Sequence, residues 1–490
     1  MNSAINENLV REIVKEVLAK MGRAPQAEAP PAPTPRAPAP REKGSRGRFG
    51  VFEDVDLACA AAKASFLLLR EQGVAARVKV IEIVKRMSSE NAESWGRMEL
   101  EETQIGRLDH KIEKLKILAQ VPGVEFLHPT GLSGDHGITL EEYTPFGVIG
   151  AVTPSTHSIP TLTGNIVSMV AAGNAVVFNP HPAAVRCAVH AVRAYNQAIH
   201  RELGIENLVC VMENPTVEGF QALAKNPEVS LLAVTGGPGV VRAAMGSGKR
   251  AVCAGPGNPP VLVDETVDLD SAARKVVQGA AYDNNLLCIG EKEVFVLAEL
   301  ADRFLSALER AGAERLSGPQ LERLTRAAFS VTPGTGGGCA HASVNRDLIG
   351  KDPAVLGRAA GLEVRPKTQL LFAETEADHL FVEEEQMMPM LPVVRVRSVE
   401  EGIALAQKAE HGYRHTAIIH SHDVSRMTAM ARALDTTLFV KNGPSMAGLG
   451  QGGEGYLSYT IATPTGEGVT NPRTFTRVRR CVMVDNLRIY

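Results

Sequence analysis

Short apolar runs alternate with helical patterns between residues 141 and 255, and this alternation restricts the fold more than any other feature of the sequence. Each run has about the length of one β-strand, and most of them lead into a stretch with helical spacing. The runs are "EEYTPFGVIGAVTP" (141–154), "NAVVFNP" (174–180), "NLVCVMEN" (207–214), "VSLLAVTGG" (229–237) and "RAVCAG" (250–255). Strands separated by helices at this spacing predict βαβ units, a parallel sheet covered on both faces and therefore an α/β fold.

Two turns, "FNPHP" and "TGGPG", fall at the predicted carboxyl ends of these strands, where ligands of parallel α/β sheets bind. In the second turn, Gly236, Gly237 and Gly239 would let the backbone approach a phosphate group at the start of the next helix. The turn lacks the full G-x-G-x-x-G pattern of dinucleotide-binding proteins, so a plain tight turn explains it nearly as well.

A second α/β unit begins near residue 265, and Cys288 lies between its first helix and the strand predicted at 292–298. Free cysteine packs as a small apolar residue in most proteins, so Cys288 is either a core residue or a nucleophile. Cys339, in the glycine-rich loop "GGGCAH", is a competing nucleophile, although a flexible loop would hold it poorly. Cys187 and Cys253 lie in a helix and a strand and are predicted to be core residues.

Composition excludes several function classes. The 490 residues are 44% hydrophobic and 22% charged, which is typical of a soluble globular protein with two or three domains. A formal net charge of −3 gives no reason to expect nucleic acid or an anionic membrane as partner, and no apolar run could span a bilayer. The seven scattered cysteines predict a reducing compartment without a disulfide framework or metal site, and His411 and His415 are predicted at the surface.

The first 45 residues differ from the rest of the chain. Residues 1–22 have apolar side chains at i, i+4 steps and charged residues on the other face, which predicts an amphipathic helix. Residues 23–45 are rich in proline and alanine and predict an extended linker. Such a helix either docks on its own protein or serves as an address that binds a groove of another protein, and the linker favours the address.

Five motifs together resemble the aldehyde dehydrogenase superfamily, and in particular its coenzyme-A-acylating branch from bacterial microcompartments. They are "PFGVIGAVTPSTHSIPT", "VTGGPGVV", "CAGPGNPP", "NNLLCIGEKEVFV" and "EEEQMMPMLPV", and they occur in the family's order and spacing. The resemblance covers roughly residues 48–490. It implies a Rossmann-type NAD-binding domain (46–264) interrupted by a β-arm near 130–147, a catalytic domain (265–460) and a C-terminal segment (461–490) that contributes to oligomerisation.

The resemblance also implies roles for individual residues. Cys288 matches the catalytic nucleophile, and Thr156, or His157 after a one-residue shift, falls on the family's side-chain donor to the oxyanion. Glu385 matches the glutamate that holds the nicotinamide ribose. Asn179 replaces the family's usual lysine at the adenosine ribose, which favours NAD over NADP. The cofactor-binding residues implied in this way are Thr153, Pro154, Ser155, Asn179, Pro180, Thr235, Gly236, Gly237 and Glu385.

Ala254 decides the expected reaction. Hydrolytic aldehyde dehydrogenases carry a glutamate 34 residues before the catalytic cysteine, where it activates water against the acyl-enzyme, and this chain has Ala254 there. Without that base, a thiol such as coenzyme A is the better acceptor, because it is partly ionised near neutral pH. The expected reaction converts a short aldehyde, propionaldehyde or acetaldehyde, with NAD and coenzyme A into acyl-CoA and NADH, in ping-pong order.

Other expectations concern partners and location. The resemblance implies a homo-oligomer in the lumen of a bacterial microcompartment in the cytoplasm, with residues 1–22 as an encapsulation peptide that binds shell proteins. Three alternative functions stay open from the sequence: a hydrolytic aldehyde dehydrogenase, a cysteine acyltransferase without redox chemistry, and a shell-associated protein with a relict active site.

Overall fold

The computed structural model describes residues 47–332 and 341–486. The predicted N-terminal helix and linker, and the competing nucleophile Cys339, lie outside the described residues. The strands are β1 Val51–Phe52, β2 Thr130–Gly134, β3 Gly137–Pro145, β4 Val148–Thr153, β5 Ala175–Pro180, β6 Val209–Met212, β7 Val229–Thr235, β8 Ala251–Ala254, β9 Pro260–Val263, β10 Glu293–Leu297, β11 Ala313–Arg315, β12 Phe329–Thr332, β13 His341–Val344, β14 Leu370–Glu374, β15 Met390–Val396, β16 Thr416–His420, β17 Leu438–Lys441, β18 Ile461–Ala462, β19 Gly468–Val469 and β20 Thr476–Val484.

Helices connect and cover these strands. Many begin at a residue whose side chain accepts a hydrogen bond from the first turn, as Asp54, Thr216 and Asp268 do. The helices are α1 Val55–Glu90, α2 Ala92–Thr103, α3 Leu108–Lys116, α4 Ser158–Ala171, α5 Val185–Leu203, α6 Val217–Lys225, α7 Pro238–Met245, α8 Leu269–Ala280, α9 Ala301–Arg310, α10 Gly318–Ala328, α11 Pro353–Ala360, α12 Leu380–Glu383, α13 Val399–Ala409 and α14 Val424–Leu434.

The first large sheet of the described chain is parallel and has the strand order β1-β6-β5-β4-β7-β8. From β4 the chain adds β5 and β6 on one side and then β7 and β8 on the other. The order therefore reverses between β4 and β7, and a crevice at such a reversal is where open α/β sheets bind their ligands. This is the Rossmann-type sheet that the sequence predicted.

The second large sheet is also parallel, in the order β11-β14-β15-β10-β9-β16-β17, and has its own apolar core. Its first strand, β9, lies before the predicted domain boundary at 264.

Tyr459 and Phe475, from the other end of the chain, pack into the core of the first sheet. Both sheets belong to one compact unit that begins at Gly47, and the domain boundaries themselves stay a prediction.

A three-stranded antiparallel arm, in the order β2-β3-β20, accounts for the strand-like segments near 138–147 and at the C-terminal end. Several apolar side chains of the arm are exposed, among them Leu132, Val478 and Val484. Two parallel sheets covered by helices, together with this small arm, confirm the predicted α/β fold.

Some predicted helices differ in detail. The sequence pattern of residues 55–70 and 74–88 predicts two helices, but these form one element, α1, with a kink at Gly73, whose φ of 75° interrupts the helix. The charged stretch 90–119 has a helical pattern over its whole length, but it is divided into α2 and α3, because Gln104 and Gly106 adopt positive φ values. Neither difference affects the strands that carry the candidate site.

Candidate active site

The carboxyl ends of β4, β5, β7 and β8 bring most of the predicted cofactor-binding residues together. Thr153 ends β4 and pairs in register with Pro180, which follows Asn179 at the end of β5. On the other side of the reversal, Thr235 ends β7 and pairs with Ala254 of β8. The predicted residues therefore line one edge of the sheet, although they come from segments spread over about 80 residues of the chain.

Several polar atoms at this edge have no protein partner among the described residues. The Thr153 hydroxyl and the Asn179 side-chain oxygen are buried and unpaired, while the Asn179 amide donates to the Thr216 carbonyl at 3.3 Å. Buried polar groups normally have a hydrogen-bond partner, so unpaired ones at a ligand-binding edge mark places where a ligand can supply it. These atoms fit the polar ribose and phosphate groups of a dinucleotide.

The turn after β7 has the open backbone that its glycines predicted. A Cβ atom on Gly237 or Gly239 would meet nothing within 4 Å, and Gly237 caps α7. The Gly236 N–H donates to the Ala254 carbonyl at 3.2 Å, which ties the turn to the neighbouring strand. The amide groups in the first turn of α7 lack helical acceptors and can bind an anion.

A left-handed turn precedes Cys288. Asp283, Asn284 and Asn285 have φ values of 47°, 54° and 63°, a conformation that costs free energy in residues other than glycine. The surrounding structure holds each of these side chains. The Asn284 amide donates to the Gly350 carbonyl at 3.0 Å, and the Asn285 amide donates to the carbonyls of Ala280 and Glu291 at 2.9 Å each. These contacts hold the loop in one strained conformation.

Asp283 anchors one side of this loop in a buried ion pair with Lys114 of α3. Its carboxylate also accepts the Arg107 N–H at 2.7 Å, and its own N–H donates to His110. Burial opposes ionisation of Asp283, but Lys114 and Lys111 outweigh burial and lower the pKa of the carboxyl group. The charge stays on Asp283, and the pair links the loop before Cys288 to α3.

Lys292 anchors the other side. Its side chain is fully buried, and its Nζ donates to the Asn285 carbonyl at 2.8 Å, to the Leu287 carbonyl at 3.2 Å and to the Asn285 side-chain oxygen. The loop from Asp283 to Cys288 is therefore fixed by a buried lysine at each end.

Cys288 is half-buried, and this distinguishes it from the cysteines predicted to be core residues. Cys187 and Cys253 are fully buried, which confirms their core assignment. Burial, and next the carboxyl group of Glu385, raise the pKa of the Cys288 thiol to about 12, whereas Lys292 and the N–H of Cys288 itself lower it. The thiol is thus neutral at pH 7 and needs a proton acceptor before it can attack a carbonyl carbon.

Gly257 joins Cys288 to Glu385. A Cβ atom at this position would collide with the Cys288 carbonyl oxygen and would lie 2.9 Å from the His415 ring, so only glycine fits. The Gly257 N–H donates to Glu385 Oε1 at 3.3 Å. Burial raises the pKa of Glu385 to about 7, against a lowering by Lys292. A carboxyl group that titrates near neutral pH therefore lies close to the thiol.

The segment from Ala254 to Gly257 connects the two halves of the site. Ala254 pairs with Thr235 at the cofactor edge, and Gly257 contacts the Cys288 loop. Three residues span at most about 11 Å, so the nucleophile lies close to the cofactor edge.

Thr156 and His157 lie just past the end of β4, and their side chains contact each other. Thr156 is half-buried, and its hydroxyl is 2.8 Å from His157 Nδ1. Burial, with a further contribution from Lys114, lowers the pKa of His157 well below its usual value, so the ring is neutral. The half-buried Thr156 is the more accessible of the two predicted oxyanion donors.

His415 was wrongly predicted to lie at the surface. It is fully buried beside Gly257, its Nδ1 is 2.9 Å from the Thr416 hydroxyl, and its Nε2 has no partner among the described residues. His411, in contrast, is exposed. Sequence reasoning also missed Lys292, Lys114 and Gly257. The signal that could have found Lys292 was the charged run "GEKE" (290–293), which begins two residues after the predicted nucleophile.

Neither a metal site nor a membrane span is found in the part of the chain that the structure describes. In residues 47–332 and 341–486, His, Cys, Asp and Glu side chains do not cluster in the threes or more that would hold a metal ion. The helices within these residues also fall short of the length and apolarity needed to cross a bilayer.

Comparison with known proteins agrees with this geometry. The model of the aldehyde dehydrogenase family matches residues 36–455. The chain is 44% identical to the acetaldehyde dehydrogenase (acetylating) EutE of Salmonella typhimurium, over 99% of this chain and all of that protein.

Two solved structures are similarly related. A Rhodopseudomonas palustris propionaldehyde dehydrogenase with bound CoA and an acylated cysteine is 42% identical and superposes with a TM-score of 0.86, covering 90% of this chain and all of the other. A propionaldehyde dehydrogenase from the fucose utilisation bacterial microcompartment of Clostridium phytofermentans gives the same identity, TM-score and coverage. The chain belongs to the aldehyde dehydrogenase family.

Proposed function

We propose that this protein is a CoA-acylating aldehyde dehydrogenase that converts a short aldehyde, NAD and coenzyme A into acyl-CoA and NADH. The observation that carries the proposal is the half-buried Cys288 on a rigid loop beside Glu385, with Ala254 in the position of the hydrolytic glutamate. The relatives are named for acetaldehyde and propionaldehyde, and propionaldehyde is the substrate we propose to test first.

Cys288 begins the reaction. Its sulfur loses a proton and bonds to the aldehyde carbon, and the carbonyl electron pair moves to the oxygen. We assign the Cys288 N–H and the Thr156 hydroxyl as the donors to that oxygen, the roles that the family resemblance implies. When the carbonyl re-forms, the carbon loses hydride and remains on Cys288 as a thioester. The NAD nicotinamide, when bound, supplies the hydride acceptor.

Glu385 is the proposed proton acceptor of the resting thiol. It titrates at about pH 7, so near neutral pH a large fraction of the molecules carry it as a carboxylate. Its link through Gly257 keeps it close to Cys288. The resemblance gives Glu385 a contact with the nicotinamide ribose as well, and one carboxylate can serve these steps in turn.

The residues at the cofactor edge fit NAD. Thr153 and Asn179 offer unpaired polar atoms, and the open space beside Gly237 and Gly239 leaves room for the pyrophosphate before α7. Pro154, Ser155 and Pro180 complete this edge and are assigned to the cofactor on the same basis. Because Asn179 is uncharged, the site lacks the cation that would favour the 2′-phosphate of NADP.

The second half-reaction transfers the acyl group to the thiol of coenzyme A. The CoA sulfur bonds to the thioester carbon, and the Cys288–carbon bond breaks to regenerate the enzyme thiol. Water is the weaker competitor because a positioned general base is worth about 10²–10⁴-fold, and Ala254 provides none. We further propose that NADH leaves before CoA enters, which gives ping-pong kinetics.

Hydrolysis is the second candidate function, and Glu385 is the observation that favours it. A carboxyl group with a pKa of about 7 beside the thioester could deprotonate water as well as a thiol. The two functions differ in their product, which is a free carboxylic acid in one case and an acyl-CoA in the other.

Localisation and assembly are proposed from the relatives and the sequence. We propose that the protein works in the lumen of a bacterial microcompartment and that residues 1–22 bind its shell proteins. We also propose that the exposed apolar side chains of the β2-β3-β20 arm form the contact between subunits of a homo-oligomer, since such patches commonly mark interfaces. Reporter fusions to residues 1–22 would test the address, because diffuse fluorescence in compartment-forming cells would contradict it.

The decisive experiment incubates the protein with propionaldehyde and NAD, with and without CoA, and quantifies NADH, propionyl-CoA and propionate. We expect sustained NADH formation only with CoA, in equal amounts with propionyl-CoA. Propionate formed at the same rate without CoA would show a hydrolytic enzyme. A protein that forms no NADH from propionaldehyde, but transfers the acyl group of an added thioester donor to CoA in a separate incubation, would be a non-redox acyltransferase.

A further inference from the structure

Lys292 is fully buried and forms no salt bridge with any residue that the structure describes. Its ammonium group has three N–H donors, and three oxygens of the loop accept them: the Asn285 carbonyl, the Asn285 side-chain oxygen and the Leu287 carbonyl. A neutral amine has only two N–H donors, so this set of acceptors requires the charged form. Among the described residues, no carboxylate lies within ion-pair distance of Lys292. Burying a charge without a contacting counter-ion costs free energy of folding, so we expect a functional benefit from this ammonium group.

The third acceptor supplies that benefit. The Leu287 carbonyl belongs to the same peptide group as the Cys288 N–H, the backbone donor to the substrate oxygen in the proposed reaction. A cation at the carbonyl end of a peptide group polarises it and strengthens hydrogen bonds at its N–H end. The lysine thus lies one peptide group away from the place where negative charge develops.

Burial lowers the pKa of the Lys292 ammonium group, whereas the surrounding acidic groups, Glu385 first, raise it, and the three acceptor oxygens favour the charged form. Glu385 and Cys288 interact electrostatically with the Lys292 ammonium group from the site, and Glu291 and Glu293 do so from its own segment. His415 faces the ammonium group from β16. Neither carboxyl oxygen of Glu293 has a hydrogen-bond partner in the described part of the chain, and burial raises the pKa of this carboxyl group well above the usual value, which favours its neutral form. Of these groups, the Cys288 thiol gains negative charge during the reaction, when Glu385 accepts its proton.

We propose that Lys292 is a positioning residue whose ammonium group acts through the Leu287 peptide group to stabilise negative charge on the substrate oxygen and on the Cys288 sulfur. The charge on the oxygen develops as the sulfur–carbon bond forms and disappears when hydride leaves. The inference rests on the proposed function, because it assigns the residue to that thioester-forming step.

The test compares Lys292→Gln, Lys292→Met and Lys292→Arg in a single turnover with NAD and propionaldehyde but without CoA. We expect the first burst of NADH to slow by about 10-fold to 100-fold in the neutral variants, since a lost oxyanion donor costs about 10²–10³-fold and Lys292 acts indirectly. Lys292→Arg retains the charge and is expected to stay within about fivefold of the unmodified enzyme. The KM for NAD should stay the same in all three.

Glu293→Gln is the matched control, because the replaced carboxyl is buried, adjacent and neutral, and it should leave the burst rate unchanged. A second readout needs neither cofactor nor aldehyde: the pH midpoint for alkylation of Cys288 should rise in Lys292→Gln. If Lys292→Met does not fold, Lys292→Gln still carries the test.

An unchanged burst rate and alkylation midpoint in Lys292→Gln would overturn the inference. So would a Lys292→Arg variant as slow as Lys292→Met, which would assign the lysine to packing alone. A CoA-independent wild-type enzyme would contradict the proposed function but would leave the burst comparison valid. A protein that forms no NADH would contradict that function too, while the alkylation profile would still report on Lys292.

Discussion

The Cys288 loop and the cofactor edge lie close together but are built from opposite kinds of side chain. Fully buried charged residues surround the loop, with Lys114 and Asp283 on one side and Lys292 on the other. The cofactor edge consists of small uncharged residues such as Thr153 and Asn179, whose side-chain oxygens have no partner among the described residues. In the loop most side-chain polar atoms have protein partners, with Asn284 Oδ1 as an exception, whereas at the edge both of these oxygens still need one.

The difference corresponds to two kinds of chemistry. A nucleophile that forms a covalent bond must keep its position within a fraction of an ångström, and buried ion pairs and hydrogen bonds provide that rigidity at a cost in stability. A cofactor that binds and leaves at each turnover is better served by neutral groups, which lose little hydration when the site empties. The following predictions test this contrast, from the largest expected effect to the smallest.

Replacing the nucleophile should have the largest effect. Cys288→Ser is expected to lower the rate of NADH formation by about 10⁴-fold or more, because no other group can form the thioester. The exposed Cys481 on β20 provides the control, and Cys481→Ser should retain full activity. Steady-state kinetics with CoA would measure both variants, and substantial activity in Cys288→Ser would assign the nucleophile elsewhere.

Breaking the buried ion pair should strongly destabilise the loop region. Lys114→Met leaves the Asp283 carboxylate buried without its partner, and we expect a loss of about 3–5 kcal/mol in the free energy of unfolding. Adding Asp283→Asn removes the stranded charge and should restore part of that loss. Urea denaturation of the single and double variants would measure this, and a single-variant loss below about 1 kcal/mol would contradict a rigid, charge-held loop.

The buried Glu291 beside the loop makes the free energy of unfolding depend on pH. Burial raises the pKa of its carboxyl group from 4.5 in the unfolded chain to about 7, so the folded state binds a proton more tightly. Its contribution to stability is complete below pH 4.5 and is lost as the pH rises to about 7. The Glu291→Gln variant has no group to ionise here and does not lose this stability. The difference in free energy of unfolding between the variant and the unmodified protein should therefore shift in favour of the variant by about 3 kcal/mol from pH 4.5 to pH 7.

Urea denaturation at a series of pH values would measure the Glu291 effect. The exposed Glu101 serves as control, since Glu101→Gln should give a curve parallel to that of the unmodified protein. Parallel curves for Glu291→Gln would mean that this carboxyl is not strained by burial.

The smallest predicted effect concerns the cofactor edge. Asn179→Lys adds a cation where the family usually has one, and we expect the ratio of kcat/KM for NADP to that for NAD to rise about tenfold, or ~1.4 kcal/mol. Kinetics with each cofactor at fixed aldehyde and CoA would measure it. An unchanged ratio would place the adenosine ribose away from Asn179.

The sequence predicted the strands of the first sheet well, because each is a short apolar run bounded by turn residues. It did not predict helix α4, whose residues are buried on every side. A helix buried all round has no polar face, so its sequence lacks the amphipathic period that identifies surface helices. The two-residue strand β1 is also too short to leave a periodic signal.

The sequence indicated which residues belong to the site but not how they are held. Cys288, Glu385 and the turn after β7 follow from motifs. The left-handed turn at Asp283–Asn285 does not, because it exists only through contacts with α3 and the Gly350 segment. Nor does the burial of Lys292 and His415, since charged and titratable residues usually lie at the surface.

The β2-β3-β20 arm has a consequence for biosynthesis. Arg477 of β20 donates to the Pro145 carbonyl at the end of β3, 332 positions earlier in the chain. Both large sheets are therefore synthesised before the last strand of the arm emerges from the ribosome, and β3 waits with one edge open. A nascent chain that stalls before residue 476 would present that edge, beside the exposed Leu132 of β2, to other nascent chains, so we expect completion of the arm to benefit from chaperones.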